Sequence, residues 1–169
     1  RSLGYAVHAL EANAALPGVR TRAATVHIVD DVNSDRLARN LLWLRAYLDA
    51  DQPPLFLTND RMVAAAARQI AALREAFEIP WAGCAPTVLD LLSKDRLEAF
   101  ATAAGLPYPR SLRLADGDAV ASVAERLRLP IILKPCQPLS GMKTLVVHGG
   151  RGLAASREEL QEYLPLLAQ

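Results

Sequence analysis

Short apolar runs alternate with longer stretches of helical periodicity over the first 90 residues, and this alternation limits the fold more than any other feature of the chain. Tyr5–Leu10 (YAVHAL) and Ala24–Val29 (ATVHIV) read as buried strands, as do Pro54–Thr58 (PLFLT) and the shorter Ile79–Ala82 (IPWA). Between them Leu37, Leu41, Leu44 and Leu48 recur at helical spacing, which predicts a helix over 35–49 ended by Pro53 and Pro54. Met62, Ala66, Ile70, Leu73 and Phe77 mark one face of a second helix, opened by Asn59-Asp60, two good N-cap types. Pro86 suits the first turn of a third. Strands alternating with helices of about 12 to 17 residues predict an α/β fold, a parallel sheet with helices on its faces. Binding groups on such sheets collect at the carboxyl ends of strands. Here those residues are Thr58, Asn59 and Asp60; Asp60 is a candidate to face a substrate, with a plain helix-cap role the alternative. A sheet of this kind usually opens with a further strand, so a truncated N-terminus is expected.

The pattern changes near residue 93. Leu97, Phe100, Ala101 and Ala104 share one face of a helix that begins near Lys94, is capped by Gly105 and is stopped by Pro107 and Pro109. A strand over Ser111–Leu114, a turn at Asp116-Gly117 and a helix carrying Val120, Val123 and Leu127 follow. Pro130 then introduces Ile131-Ile132-Leu133-Lys134, and the loop PCQPLSGMK leads into a strand over Thr144–His148. Gly149, Gly150 and Gly152 predict a turn. Ser156 and Glu159 then form a capping-box pattern for a last helix whose buried side is Leu160, Leu164 and Leu167.

Composition narrows the function classes. The 169 residues are 51% hydrophobic with a formal net charge of +1, enough for one domain or two small ones. They fit neither a disordered chain nor a disulfide-stapled scaffold. So small a net charge gives no electrostatic case for nucleic acid or an anionic membrane. No apolar run approaches the roughly 18 residues of a membrane helix. Cys84 and Cys136 match no metal or redox spacing and read as two buried free thiols in a reducing cytoplasm. His8 and His27 lie within strands and read as packed core or edge residues. Asp30-Asp31 and Asp116/Asp118 read as turn and cap residues rather than metal ligands. Among 19 basic residues only three are lysines, Lys94, Lys134 and Lys143, all in the second half of the chain.

Those lysines stand in an ordered motif. Lys94-Asp95 opens a helix, Gly105-Leu106-Pro107-Tyr108-Pro109 closes it, Pro130-Ile131-Ile132-Leu133-Lys134-Pro135 follows, and a small-residue loop with Ser140-Gly141 leads to a strand. The order resembles the first half of the ATP-grasp fold, the nucleotide-binding unit of carboxylate-amine and carboxylate-thiol ligases. The segment before it is similar to the domain that precedes ATP-grasp in those enzymes, with Arg1-Ser2-Leu3-Gly4 resembling the end of that domain's first helix. The resemblance covers nearly the whole chain. It implies a Rossmann-like parallel-sheet domain over 1–90 and the N-terminal lobe of an ATP-grasp domain over 91–169, with the C-terminal lobe absent.

The resemblance also implies roles. Lys134 would bind the α- and β-phosphates of ATP, with Lys94 approaching them from the start of its helix. Ser140 and Gly141 would form a loop closing over the β- and γ-phosphates, and Ile132 would pack against adenine. Lys143, just past the loop, would add a phosphate contact or be a plain surface lysine. The physics is compatible: a compact ammonium suits a phosphate oxygen, a strand end fixes it, and a glycine loop admits close backbone approach. The implied parent is an ATP-dependent ligase joining a small carboxylate to an amine. Its Mg²⁺ ligands are expected in the second half of the catalytic domain, the present residues alone are expected to be inactive, and a homodimer is possible. The alternatives are a non-catalytic nucleotide-binding or regulatory module, and a Rossmann-like ligand-binding domain in which the lysines are incidental.

Overall fold

A computed structural model describes residues 4–115, 120–137 and 144–169. The chain divides into two compact units, Arg1–Pro86 and Thr87–Gln169. Each has its own apolar core. The architecture is α/β in both, with a parallel pair of strands in the first unit and an antiparallel sheet in the second.

In the first unit β1 (His8–Glu11) and β2 (Thr25–Ile28) run parallel, His8 opposite Thr25 and Glu11 opposite Ile28. Helix α1 (Arg36–Arg45) follows, then α2 (Asp60–Arg68) and α3 (Ile70–Ala76). The expected strand over Pro54–Thr58 shrinks to one parallel bridge between Pro54 and Glu78, because Pro53 and Pro54 have no N–H to give a ladder. The expected strand Ile79–Ala82 does not form, the bridge lying at Glu78 before it, and Ala82–Cys84 is a turn of 3₁₀-helix. The single helix expected over Met62–Phe77 is broken at Gln69, whose φ of −117° lies outside the helical range. The apolar spacing was nevertheless informative, since Ala66, Leu73 and Phe77 are buried beside Leu37, Ala38 and Leu41.

Polar contacts fix the end of β2 to α1. Asp30 accepts hydrogen bonds from Arg36 (3.1 Å), Arg39 (2.7 Å) and the Asn40 amide (2.9 Å), and the same amide donates to the Asp31 carbonyl (2.8 Å). Asp31 turns the chain by accepting from the Asn33 N–H at 2.7 Å. His8 Nδ1 and His27 Nε2 lie 3.0 Å apart in a ring-to-ring hydrogen bond. The Trp43 ring meets His27 edge-on. This histidine pair sits at the surface, His8 exposed and His27 half-buried, rather than in the core.

The second unit carries α4 (Ala85–Leu91), which crosses the division, then α5 (Lys94–Ala103), β3 (Leu112–Leu114), α6 (Val120–Arg126), β4 (Ile131–Pro135), β5 (Leu145–Val147), α7 (Gly150–Glu159) and β6 (Leu166–Ala168). The sheet order is β3-β6-β4-β5, every pair antiparallel. Gly105 ends α5 at φ +66°, the left-handed conformation that glycine adopts without strain.

Two expectations fail at the C-terminal end. Helix α7 starts at Gly150, not at the Ser156/Glu159 pattern, and Gly149 is its N-cap. Gly150 and Gly152 lie inside the helix, and a Cβ on Gly152 would make only an ordinary contact, 3.5 Å from Val147 Cγ1. The expected helical continuation through Leu164 and Leu167 is instead strand β6, inserted between β3 and β4. Pro165 forbids the helix, and the run Leu166-Leu167-Ala168 fills the centre of the sheet. The Asp116-Gly117 turn, Asp118 and the segment Arg1–Leu3 lie outside the described residues.

Candidate nucleotide site

Strand β4 alternates burial along its length. Ile131, Leu133 and Pro135 face the core with Leu114, Val123, Val147, Leu153 and Leu160, while Ile132 and Lys134 face the opposite side. Register extends that second face across the sheet. Val146 of β5 stands opposite Ile132, Leu167 of β6 opposite Lys134, and Arg113 of β3 opposite Leu167. Gln169, one residue past β6, continues the ladder: its N–H donates to the Ile132 carbonyl at 3.0 Å and its carbonyl accepts from the Ile132 N–H at 2.8 Å. The result is a partly open surface, Ile132 38% and Val146 55% exposed, with cationic side chains beside apolar ones.

Lys134 Nζ donates to Gln169 Oε1 at 2.6 Å. Partial burial, with the Lys94 charge nearby, holds the Lys134 pKa below the usual lysine range. Two like charges brought together in one place disfavour each other and favour a polyanion. Lys94 reaches this place because its backbone N–H, the first of α5, donates to the Cys136 carbonyl just past β4 at 2.9 Å. That bond also satisfies one of the donors a helix N-terminus leaves open.

Next to Lys94, Ser93 Oγ donates to Asp95 Oδ1 (2.5 Å) and accepts from Gln137 Nε2 (2.7 Å), and Asp95 pairs with Arg113 at 3.1 Å. These residues, with Arg96 and Pro165, line a cleft of about 410 Å³. A second cleft of about 720 Å³ is lined by Arg110, Arg126, Arg128, Leu129 and Gln169.

The structure thus brings together Lys94, Lys134 and, on the same strand face as Lys134, Ile132. Ser140, Gly141 and Lys143 lie outside the described residues. Asp60 belongs to the first unit; it is the first residue of α2, and the capping role falls to Asn59, whose side chain accepts from the Met62 N–H at 2.9 Å. The two cysteines divide. Cys136 is buried, with its thiol pushed up to about 11 by desolvation and then by Asp95, so it stays protonated. Cys84 is exposed, contrary to expectation, because the 3₁₀ turn carries it to the surface. Gln169, Ser93, Asp95, Arg113 and Gln137 were not foreseen as site residues. Only the strand register and contacts spanning up to 44 residues of sequence reveal them.

No protein-family model matches the sequence, and no curated protein does. A solved structure does match: a RimK-domain ATP-grasp protein from Sphaerobacter thermophilus aligns with 97% of this chain at a TM-score of 0.52. The fold it shares is that of an ATP-grasp protein. Sequence identity is 16%, so the likeness is one of fold. The chain spans 63% of that protein's length.

The residues present fit an ATP phosphate chain, with two ammonium groups close enough to influence each other and an apolar strand surface alongside. They do not supply a metal site: among the described residues no three His, Cys, Asp or Glu side chains gather in a way that could hold an ion. No helix among them is long and apolar enough to cross a membrane.

Proposed function

We propose that this chain is the ATP-binding portion of a cytoplasmic ATP-dependent ligase that joins a small carboxylate to an amine. The observation that carries the reading is that the helix start bearing Lys94 is bonded to the residue just past the strand that bears Lys134, 40 residues on, in a fold shared with an ATP-grasp protein. In this reading the Lys134 ammonium leaves Gln169 for the α- and β-phosphates and Lys94 approaches the phosphates from the start of its helix. Ile132 and its neighbour Val146 offer the base an apolar surface, and Ser140 and Gly141 close over the β- and γ-phosphates, with Lys143 as a further contact. Asp60 would face the acceptor substrate.

The implied chemistry has two steps. A carboxylate oxygen attacks the γ-phosphorus and ADP leaves; the amine then attacks the acyl carbon, phosphate leaves, and the nitrogen loses a proton. The fixed cations would stabilise charge as it moves onto the leaving phosphates. Mg²⁺ and its acidic ligands would come from a second lobe in a longer chain, and the present residues alone would bind without turnover. The experiment is a screen for ATP-dependent phosphate release by the full-length protein across amino acids and small carboxylic acids. Release that requires both a carboxylate and an amine supports the ligase. ATP binding without any release supports a non-catalytic module and overturns the catalytic part of the reading.

A further inference from the structure

Ser93 occupies the N-cap of α5, where a serine hydroxyl ordinarily accepts a hydrogen bond from a backbone N–H two or three residues on. It makes no such bond. Its hydroxyl instead donates to Asp95 Oδ1 and accepts from the Gln137 amide. Ser93 is 8% exposed, and a buried hydroxyl must find partners, so this arrangement is a committed one.

Both ends of the chain of contacts matter. Gln137 lies three residues past Lys134 and directly precedes the segment that carries Ser140 and Gly141. Asp95 is held in turn by Arg113, which shares the Lys134 face of the sheet. Two bonds therefore join the start of α5 to the end of β4: the main-chain bond from Lys94 to Cys136 and the side-chain bond from Gln137 to Ser93. The Lys94 charge helps to hold the Lys134 pKa down, and like charges do not draw these two elements together, so the two bonds are what tie them.

We propose that Gln137, Ser93 and Asp95 form a positioning device that holds the start of α5, and with it Lys94, at the end of the strand that carries Lys134. The proposal rests on the nucleotide reading of the two lysines and adds to it residues that touch no phosphate. The side-chain bond adds a second tie to the main-chain bond at the first turn of α5.

The test is ATP titration of the full-length protein by calorimetry. Ser93→Ala and Gln137→Ala are each expected to weaken ATP binding about three- to tenfold, the range of one lost hydrogen bond. Ser93→Thr, which keeps the hydroxyl, restores most of the affinity. In a Lys94→Met background Ser93→Ala is expected to add nothing, because the serine acts through that lysine. Additive losses, or no loss in either single variant while Lys134→Ala does weaken binding, overturn the positioning role. If Lys134→Ala leaves binding unchanged, the nucleotide reading itself has failed and the device falls with it. Gln137 is exposed, so Gln137→Ala carries the test if Ser93→Ala does not fold.

Discussion

Lys134 and Gln169 are joined across the sheet, the ammonium of one donating to the side-chain carbonyl of the other at 2.6 Å from positions 35 residues apart in sequence. Among the described residues, the contact gives a partly buried cation one neutral acceptor and no carboxylate. A cation held in this way has charge to offer an anion, which is why the proposed phosphate contact falls on it.

A first prediction concerns stability. Burial and the Lys94 charge depress the Lys134 pKa, so the unfolded chain binds that proton more tightly than the folded one. Stability therefore rises with pH through the depressed value up to the ordinary lysine range, and at neutral pH the charge opposes folding. Lys134→Met, which keeps the stem, is expected to raise the melting temperature of the nucleotide-free protein by ~1–3 °C while impairing ATP binding. Calorimetric scans check it; a lower melting temperature contradicts it.

Neighbouring residues on β4 should separate stability from binding. Leu133 is fully buried and Ile132 is 38% exposed on the opposite face. Leu133→Ala is expected to cost about 2–5 kcal/mol in urea unfolding. Ile132→Ala should cost under about 1 kcal/mol, as a side chain only partly removed from water, and weaken ATP binding. Equal losses of stability from the two would show that the face assignment is wrong.

Acid should expose the ties at the end of β2. The Asn40 hydrogen bond, with Arg39 and Arg36, holds the Asp30 carboxyl below the usual carboxylate range, and the Ser34 hydroxyl with the Asn33 N–H does the same for Asp31. A depressed carboxyl contributes stability above its unfolded pKa and loses it as pH falls through the folded one. Asp30→Asn should lower the unfolding midpoint at pH 7, with the gap from wild type closing below about pH 3. A gap that persists at pH 2 would mean that ionisation of Asp30 is not what matters.

Gly105 offers a purely conformational test. A Cβ there meets nothing within 4 Å, yet its φ is +66°. Gly105→Ala is expected to cost about 1 kcal/mol, and Gly105→Asn less, because asparagine tolerates the left-handed region. Matching urea midpoints for wild type and Gly105→Ala would refute the cap assignment.

What the sequence disclosed follows the range of its signals. The helix at Lys94, its glycine cap and the strand bracketed by Pro130 and Pro135 were all readable, because caps, prolines and β-branched runs act locally. Strand β6 was not: Leu160, Leu164 and Leu167 imitate a helical face, and only Pro165 spoke against it. The Asn40 and Ser93 networks were also invisible, since each depends on which residues the fold brings together. Lys94 and Lys134 were singled out by scarcity and motif, whereas the partner of Lys134 emerged only from the register of β6 against β4.

The most direct measurement is the affinity of the full-length protein for ATP with and without the Lys134 ammonium. A charge-assisted contact is worth roughly 1.5–3 kcal/mol, so Lys134→Ala should weaken ATP binding about tenfold to a hundredfold in calorimetry. An unchanged dissociation constant would contradict the assignment of this face of the sheet to nucleotide phosphates.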